Sequence, residues 1–447
     1  MSETLTFLDA LKARNSQREP EPTWIAARRQ AGAARFEAMG FPTRRDEEWK
    51  YTNVRDIARG NFVLAESNEF SPASAAALTL PVEAYRLTFV DGIYAPALSD
   101  VENLPQGVQV LPLSQALEDN HEAVGGPLGR LTGVEFSAFA ALNTAFMEEG
   151  AVIRLGAGCV LEKPIVLQFL SRDNAAPTMC HPRVLVEAAA RSEATIIEHY
   201  TGEANAKNLT NAVAELMLDR GAIMTHYKLQ EAPLGDYHVA SIHVEQGRDS
   251  RYVSHNLNLG GALVRNDLIS DLNGKGAETT FNGLFFGQGR QHVDNHTKVN
   301  HNAPLTFSNE NYKGILDDRA HGVFNGRVYV KRDSQKVEGF QSNQNLLLSD
   351  RAHIDAKPEL EIYADDVKCS HGTTTGRLDE EAIYVLRTRG LDEQSARGLL
   401  TLAFAGEVLD EVALDAIAER VELAVAGKLP ERFNLAGLVE TAAALSE

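Results

Sequence analysis

Regularly spaced turns between about residue 135 and Gly376 constrain the fold more than any other feature of the chain. Ala190-Arg-Ser-Glu-Ala, Asp219-Arg-Gly-Ala, Gly247-Arg-Asp-Ser and Asn273-Gly-Lys-Gly-Ala each separate two short apolar runs. Their basic residues, Arg191, Arg220, Arg248 and Lys275, fall at steps of 29, 28 and 27. Asp318-Arg-Ala-His321 recurs as Asp350-Arg-Ala-His353, 32 residues on. The runs between them, such as Ala194-Thr-Ile-Ile-Glu-His-Tyr and Val239-Ala-Ser-Ile-His-Val, are β-rich and carry no helical period. A repeat of this length built from short strands predicts a solenoid, in which each coil buries its inward residues on the previous one. A parallel β-helix is the expected form. A two-sheet sandwich of more than 220 residues would be unusually large.

The flanks read differently. Trp24-Ile-Ala-Ala-Arg-Arg-Gln-Ala-Gly-Ala-Ala-Arg-Phe has helical spacing and stops before Gly40 and Pro42. A charged turn with two aromatics follows, Pro42-Thr-Arg-Arg-Asp-Glu-Glu-Trp-Lys-Tyr-Thr, and Tyr85-Arg-Leu-Thr-Phe-Val hints at a strand. After Gly376, Asp379 to Gly390 reads as one helix, with Asp379 as N-cap, acids in the first turn, arginines in the last and Gly390 at C′. Residues 377–447 carry 14 acids against 7 bases. The expected organisation is an N-terminal helical or mixed domain (1–130), a β-helix core (131–376) and an acidic C-terminal helical domain (377–447).

Composition excludes several function classes. With 43 Lys+Arg against 62 Asp+Glu the net charge is -19, which disfavours nucleic acid and anionic lipid as partners. Three cysteines, Cys159, Cys180 and Cys369, form no disulfide framework and suit a reducing compartment. Met1 to Ala10 contains Glu3 and Asp9 and lacks a basic start before an apolar run, so it does not read as a secretory leader. No run is long and apolar enough to span a bilayer. A cytoplasmic location is expected.

The densest reactive segment is Glu359-Leu-Glu-Ile-Tyr-Ala-Asp-Asp-Val-Lys-Cys-Ser-His-Gly-Thr-Thr-Thr-Gly376. Cys369 and His371 are two apart, so an extended strand puts both on one face, roughly 7 Å apart at Cα. Thiolate and imidazole are metal ligands and also a nucleophile–base pair. Lys368 beside Cys369 is positioned to lower its pKa. The plain alternative is a buried Cys and a hydrogen-bonded His. His292, His296 and His301 form a second cluster, whose Asp294-Asn295 and Asn300-His301-Asn302 read as turns. His226, His238, His243 and His255 fall in alternating strands and read as satisfied sheet histidines. No phosphate loop, G-x-S-x-G or H-E-x-x-H occurs, and Asn273-Gly-Lys-Gly is a turn. With no C-x-x-C, the chain cannot hold an iron–sulfur cluster on four thiolates of its own.

The run Leu360 to Gly376 closely resembles the signature of the SufB/SufD family. So do Asp294-Asn-His-Thr-Lys-Val-Asn-His-Asn-Ala-Pro, Tyr312-Lys-Gly-Ile-Leu, Val323-Phe-Asn-Gly-Arg-Val, Asn345-Leu-Leu-Leu-Ser and the segment from Pro42 to Thr52, all in family order. Gly372 after His371 places the likeness on the SufD side, because the SufB side has Glu there and more core cysteines. Thr373-Thr374 stands where Ala-Thr is usual, and Ser334-Gln-Lys-Val-Glu-Gly departs from the family run.

The resemblance implies a right-handed parallel β-helix between helical domains, and a non-catalytic scaffold subunit for iron–sulfur cluster assembly. It implies pairing with a SufB-like paralogue through the β-helix, or with a second copy, and docking of a SufC-like ABC ATPase on the C-terminal helices. His371, with Cys369 beside it, becomes a candidate ligand at a shared interface. No cofactor is expected to stay on the chain alone; the cluster is transient cargo. Two other readings remain open. One is a β-helix polysaccharide lyase or hydrolase, against which Asp365-Asp366, as strand neighbours, would point to opposite faces. The other is a stand-alone metal-binding protein built on His292, His296 and His301.

Overall fold

The structure is a computed structural model that describes residues 2–18 and 21–429; the expected C-terminal domain's last segment, 430–447, lies outside the described residues. The chain is mainly β, a parallel β-solenoid with helices before and after it. Successive strands alternate between two sheets. One runs from Val108–Pro112 through Gly150–Leu155, Arg183–Ala188, Leu209–Leu218, Tyr237–Gln246, Leu263–Leu272, His292–His301 and His321–Val330 to His353–Ile362. The other runs from Tyr85–Val90 through Ile165–Ser171, Glu193–Gly202, Ile223–Gln230, Arg251–Asn258, Glu278–Gly287, Phe307–Leu316 and Val337–Leu347 to Val367–Gly376. Neighbours from Gly150 onward are parallel in both sheets.

The corner where the first sheet hands over to the second explains the sequence period. At each coil one residue there has positive φ: Gly158, Arg191, Gly221, Asp249, Gly276, Leu305 and Lys336. Its N–H donates to the carbonyl of the corner one coil on, at Ala190, Arg220, Arg248, Lys275, Pro304, Gln335 and Asp366. The true register is therefore Ala190, Arg220, Arg248, Lys275, at steps of 30, 28 and 27. Arg191, aligned with Arg220 by its charge, sits one residue later, at the left-handed position. The bond to the next coil offsets the roughly 1–2 kcal/mol that a side chain costs there.

Two strand assignments change. Asp294-Asn295 and Asn300-His301 are within the strand His292–His301 and not in turns, because each pairs in register with residues of Leu263–Leu272 and His321–Val330. Asp365-Asp366 lie in the turn before Val367, not on a strand.

Each sheet's outer face has its own helical cover. Helices Ser2–Gln17, Thr23–Met39 and Ala138–Phe146 lie over the first sheet, where Phe7, Phe36, Phe139 and Phe146 join Met179, Leu209, Val239 and Leu263. Gly32 permits this packing, since a Cβ there would stand 2.7 Å from Ala141 O and Ala145 N of the facing helix. Helices Glu393–Leu409 and Asp415–Gly427 bury Ala405, Val408, Ile417, Val421 and Val425 against Leu229, Leu257, Leu284, Phe286 and Ile315 of the second sheet. The preceding helix, Glu380–Thr388, starts with Asp379 capping Glu381 N and ends at Gly390 with φ +98. Among the described residues no helix is long and apolar enough to cross a membrane.

Candidate functional site

Among the described residues, the solenoid's last coil, His353–Ile362 and Val367–Gly376, carries no further strand on its outer side. Two ten-residue strands thus present unpaired backbone edges, a template for another chain. The register sets which side chains this edge displays. Cys369 lies over Gly339, His371 over Gln341 and Thr373 over Asn343. Gly339, Gln341 and Asn343 belong to the buried row of their strand, so Cys369 and His371 occupy the interior row at the open end. Period-2 alternation from Val337 predicts this placement.

Cys369 is half-buried against Val328, Val330, Val337 and Ala364. That burial raises its pKa, opposed in part by a hydrogen bond with the Gly339 backbone. The thiol is therefore protonated at neutral pH in the isolated chain. Lys368 does not activate it: the ammonium is turned to Glu338, 2.7 Å away. Strand alternation sends neighbouring side chains to opposite faces, which overrides adjacency in sequence. His371 is exposed. Among the described residues no further Cys, His, Asp or Glu completes a three-ligand group with this pair.

The second histidine cluster does not converge. His292 and His296 face outward, whereas His301 faces inward and bonds Thr306 Oγ1 and Ser308 Oγ at 2.8 and 2.9 Å. Strand spacing also separates His292 from His296 by roughly 13 Å. Both outward rings belong to a staple that holds the segment after Pro42. Thr52 Oγ1 lies 2.7 Å from His292 Nε2 and donates to Asp294. Arg265 donates to Asp294 at 2.6 Å and to Glu48 O at 2.8 Å, and stands 4.6 Å from the Trp49 ring centroid. Burial favours protonation of Asp294, but Arg265 and His296 outweigh it and hold the carboxyl far below its usual range. Burial pushes His292 down to about 4. Burial also works against a charged His296, but the carboxylates of Asp294 and Glu48 leave its pKa raised.

The sheet histidines are only partly satisfied. His226 bonds Tyr252 and Glu198, both at 2.9 Å, and His243 bonds Asp271 at 2.7 Å. Among the described residues His238 finds no hydrogen-bond partner at either nitrogen, and His255 Nδ1 finds none. A polar file runs through part of the interior. It includes Glu198, His226, Lys228, whose Nζ is 2.7 Å from Asn266, and Asn258 and Asn295, each 3.0 Å from Asn266. Burial drives Lys228 down to about 7 and Glu310 up to about 7. Further along lies the Gln341 amide, unbonded among the described residues, in register beneath His371. The signal was available: His226, Lys228 and Gln230 share the parity of buried Met224.

The geometry defines a parallel β-solenoid that ends on an open edge displaying Cys369 and His371. Two family descriptions match the chain: "SufBD protein N-terminal region" over residues 5–167 and "SUF system FeS cluster assembly, SufBD core domain" over residues 169–404. An iron–sulfur cluster assembly SufBD family protein of Synechocystis is 35% identical over 94% of this chain and 94% of its own length. Iron–sulfur cluster assembly protein SufD of Escherichia coli is 33% identical over 88% of this chain and 90% of its own. The protein of the same name in Bacillus subtilis is 24% identical over 91% and 94%. The chain belongs to the SufBD family, and its role lies in iron–sulfur cluster assembly.

Proposed function

We propose that the chain is a non-catalytic, cytoplasmic scaffold subunit of the SufD kind, on which a cluster forms at an interface and is then passed on. The observation that carries this reading is the place of Cys369 and His371, on the interior row of an unpaired terminal strand and without a third ligand. Pairing of that edge with a SufB-like solenoid extends both sheets and brings partner ligands opposite His371. Partner burial also changes the surroundings of Cys369, so a thiol kept protonated in the free chain can ionise onto metal. The cluster is cargo, shared between subunits and held by neither alone.

The C-terminal helices support a second contact. Tyr384, Val385 and Leu423 are exposed, although neighbouring apolar residues are buried on the solenoid. A SufC-like ABC ATPase docked there would act on helices that lean on the same sheet as Cys369, through Leu284, Phe286 and Ile315. The test is co-purification with tagged chain, followed by cluster assembly in the recovered complex. His371→Ala should leave both partners bound and lower cluster yield at least tenfold. Unchanged yield would remove His371 from the site. Tyr384→Asp with Leu423→Asp should release the ATPase alone; its retention would place the docking surface elsewhere.

A further inference from the structure

The repeated Asp-Arg-Ala-His turn is not used by the reading above. It brings His321 and His353 to the first residue of consecutive strands, in direct register on the outward row of the first sheet. Two residues into the later strand, Asp355 lies on the same row. His321 Nε2 donates to Asp355 Oδ2 at 2.8 Å, and His353 Nε2 stands 3.4 Å from the same oxygen. All three ligand atoms lie within 4.8 Å of one another. His292, one coil earlier in the ladder, is not available, since its ring bonds Thr52.

We infer that His321, His353 and Asp355 form a binding site for a divalent first-row transition-metal ion, separate from Cys369 and His371. Donor atoms about 2.1 Å from one ion at tetrahedral to octahedral angles stand roughly 3.0–3.4 Å apart, close to the two spacings present. Two imidazoles and one carboxylate suit Fe²⁺, Co²⁺, Ni²⁺ or Zn²⁺ over Mg²⁺ or Ca²⁺, which favour all-oxygen sets. On binding, the His321 ring changes tautomer through solvent, losing the Nε2 proton and gaining one at Nδ1, so that the neutral ring offers its Nε2 lone pair and the hydrogen bond to Asp355 is replaced by one metal bond from each group. His321 and Asp355 are held by the sheet at 26% and 25% side-chain exposure, and His353 at 66% admits the ion from solvent. Three protein ligands leave positions for water or for a group brought by another molecule.

The test is an anaerobic titration of the metal-stripped full chain with Co²⁺, read by its visible d–d absorption, and with Fe²⁺ by calorimetry. A Cys369→Ser/His371→Ala background keeps the result independent of the proposed cluster interface. One saturable equivalent is expected in that background. His353→Ala, at an exposed position that leaves the fold intact, and Asp355→Asn should each weaken binding at least tenfold. Absence of saturable binding overturns the inference. So does binding that both variants leave unchanged.

Discussion

Trp49 is the centre of the staple between the segment after Pro42 and the solenoid, and its truncation gives a measurable prediction. The side chain is 7% exposed, stacks on Phe139 at 5.3 Å and 28°, and receives the Arg265 guanidinium on its face. A Trp buries about 150–250 Å². At ~25 cal/mol per Å² that amounts to about 4–6 kcal/mol. A denatured chain that keeps some burial lowers the figure by roughly 10–40%, to about 3–5 kcal/mol. Trp→Ala truncations in packed cores fall in the same ~3–5 kcal/mol range. Arg265 adds no unpaired charge, because Asp267 and Asp294 still hold it. Trp49→Ala should therefore open this segment locally. Hydrogen exchange of the amides from Glu47 to Ile57 should speed up roughly a hundred- to several-thousand-fold in the regime where it reports opening free energy. Trypsin should cut sooner at Arg44, Arg45 and Lys50. Exchange in the terminal strand Val367–Gly376, which belongs to the second sheet, should not change. An effect below ~1 kcal/mol would refute the claim that this segment is docked through its tryptophan.

Three other outcomes follow from the same structure. Gly372→Lys should leave the isolated chain within ~1 kcal/mol of its stability, because a Cβ there meets nothing within 4 Å, yet it should abolish edge pairing with a solenoid partner in size-exclusion chromatography. Ile417→Ala, at a site with no exposure, should cost ~2–5 kcal/mol and loosen the C-terminal helices selectively, read by exchange confined to residues 393–427. His301 is held by burial at a pKa of about 4, below an unfolded value of about 6.5, so the neutral ring contributes stability fully above pH 6.5 and loses it as pH falls towards 4. The stability gap between wild type and His301→Gln should then narrow by about 3 kcal/mol from pH 7 to pH 4; a gap independent of pH would mean that burial leaves the ring's pKa at its unfolded value.

What the sequence made legible follows from where local rules dominate. The solenoid could be read because turns recur where the backbone must reverse, and the terminal helix because Asp379 and Gly390 punctuate it. The corner register was misread by one residue because charge was used as the marker. The conserved quantity along the coils is backbone conformation, and Arg191 adopts positive φ as Gly221 and Gly276 do. That Cys369 and His371 share one face of a strand could be read because period-2 alternation is local. The coupling of Lys368 to Cys369 failed for the same reason, since adjacent strand residues face apart.

Stacking hid the rest. Nothing local links Thr52 to Asp294, or Trp49 to Arg265, since each pair is more than 200 residues apart and meets only once the sheet exists. The polar interior was not read from the sequence, in which His226, His238, His243 and His255 read as satisfied sheet histidines and Glu198, Lys228 and the asparagines had no assigned place. Asn266 has Asn295 as its register neighbour one coil on and meets Lys228 and Asn258 across the interior from the other sheet, so these groups satisfy one another where a lone polar residue would be costly. This stacking also gives the open end its character. Every coil but the last has its inward donors covered by the next, and Cys369 and His371 are the inward row of the coil that has none. On the proposed reading their ligand set is incomplete for the same reason that the sheet edge is unpaired, so a partner strand that completes one would approach the other.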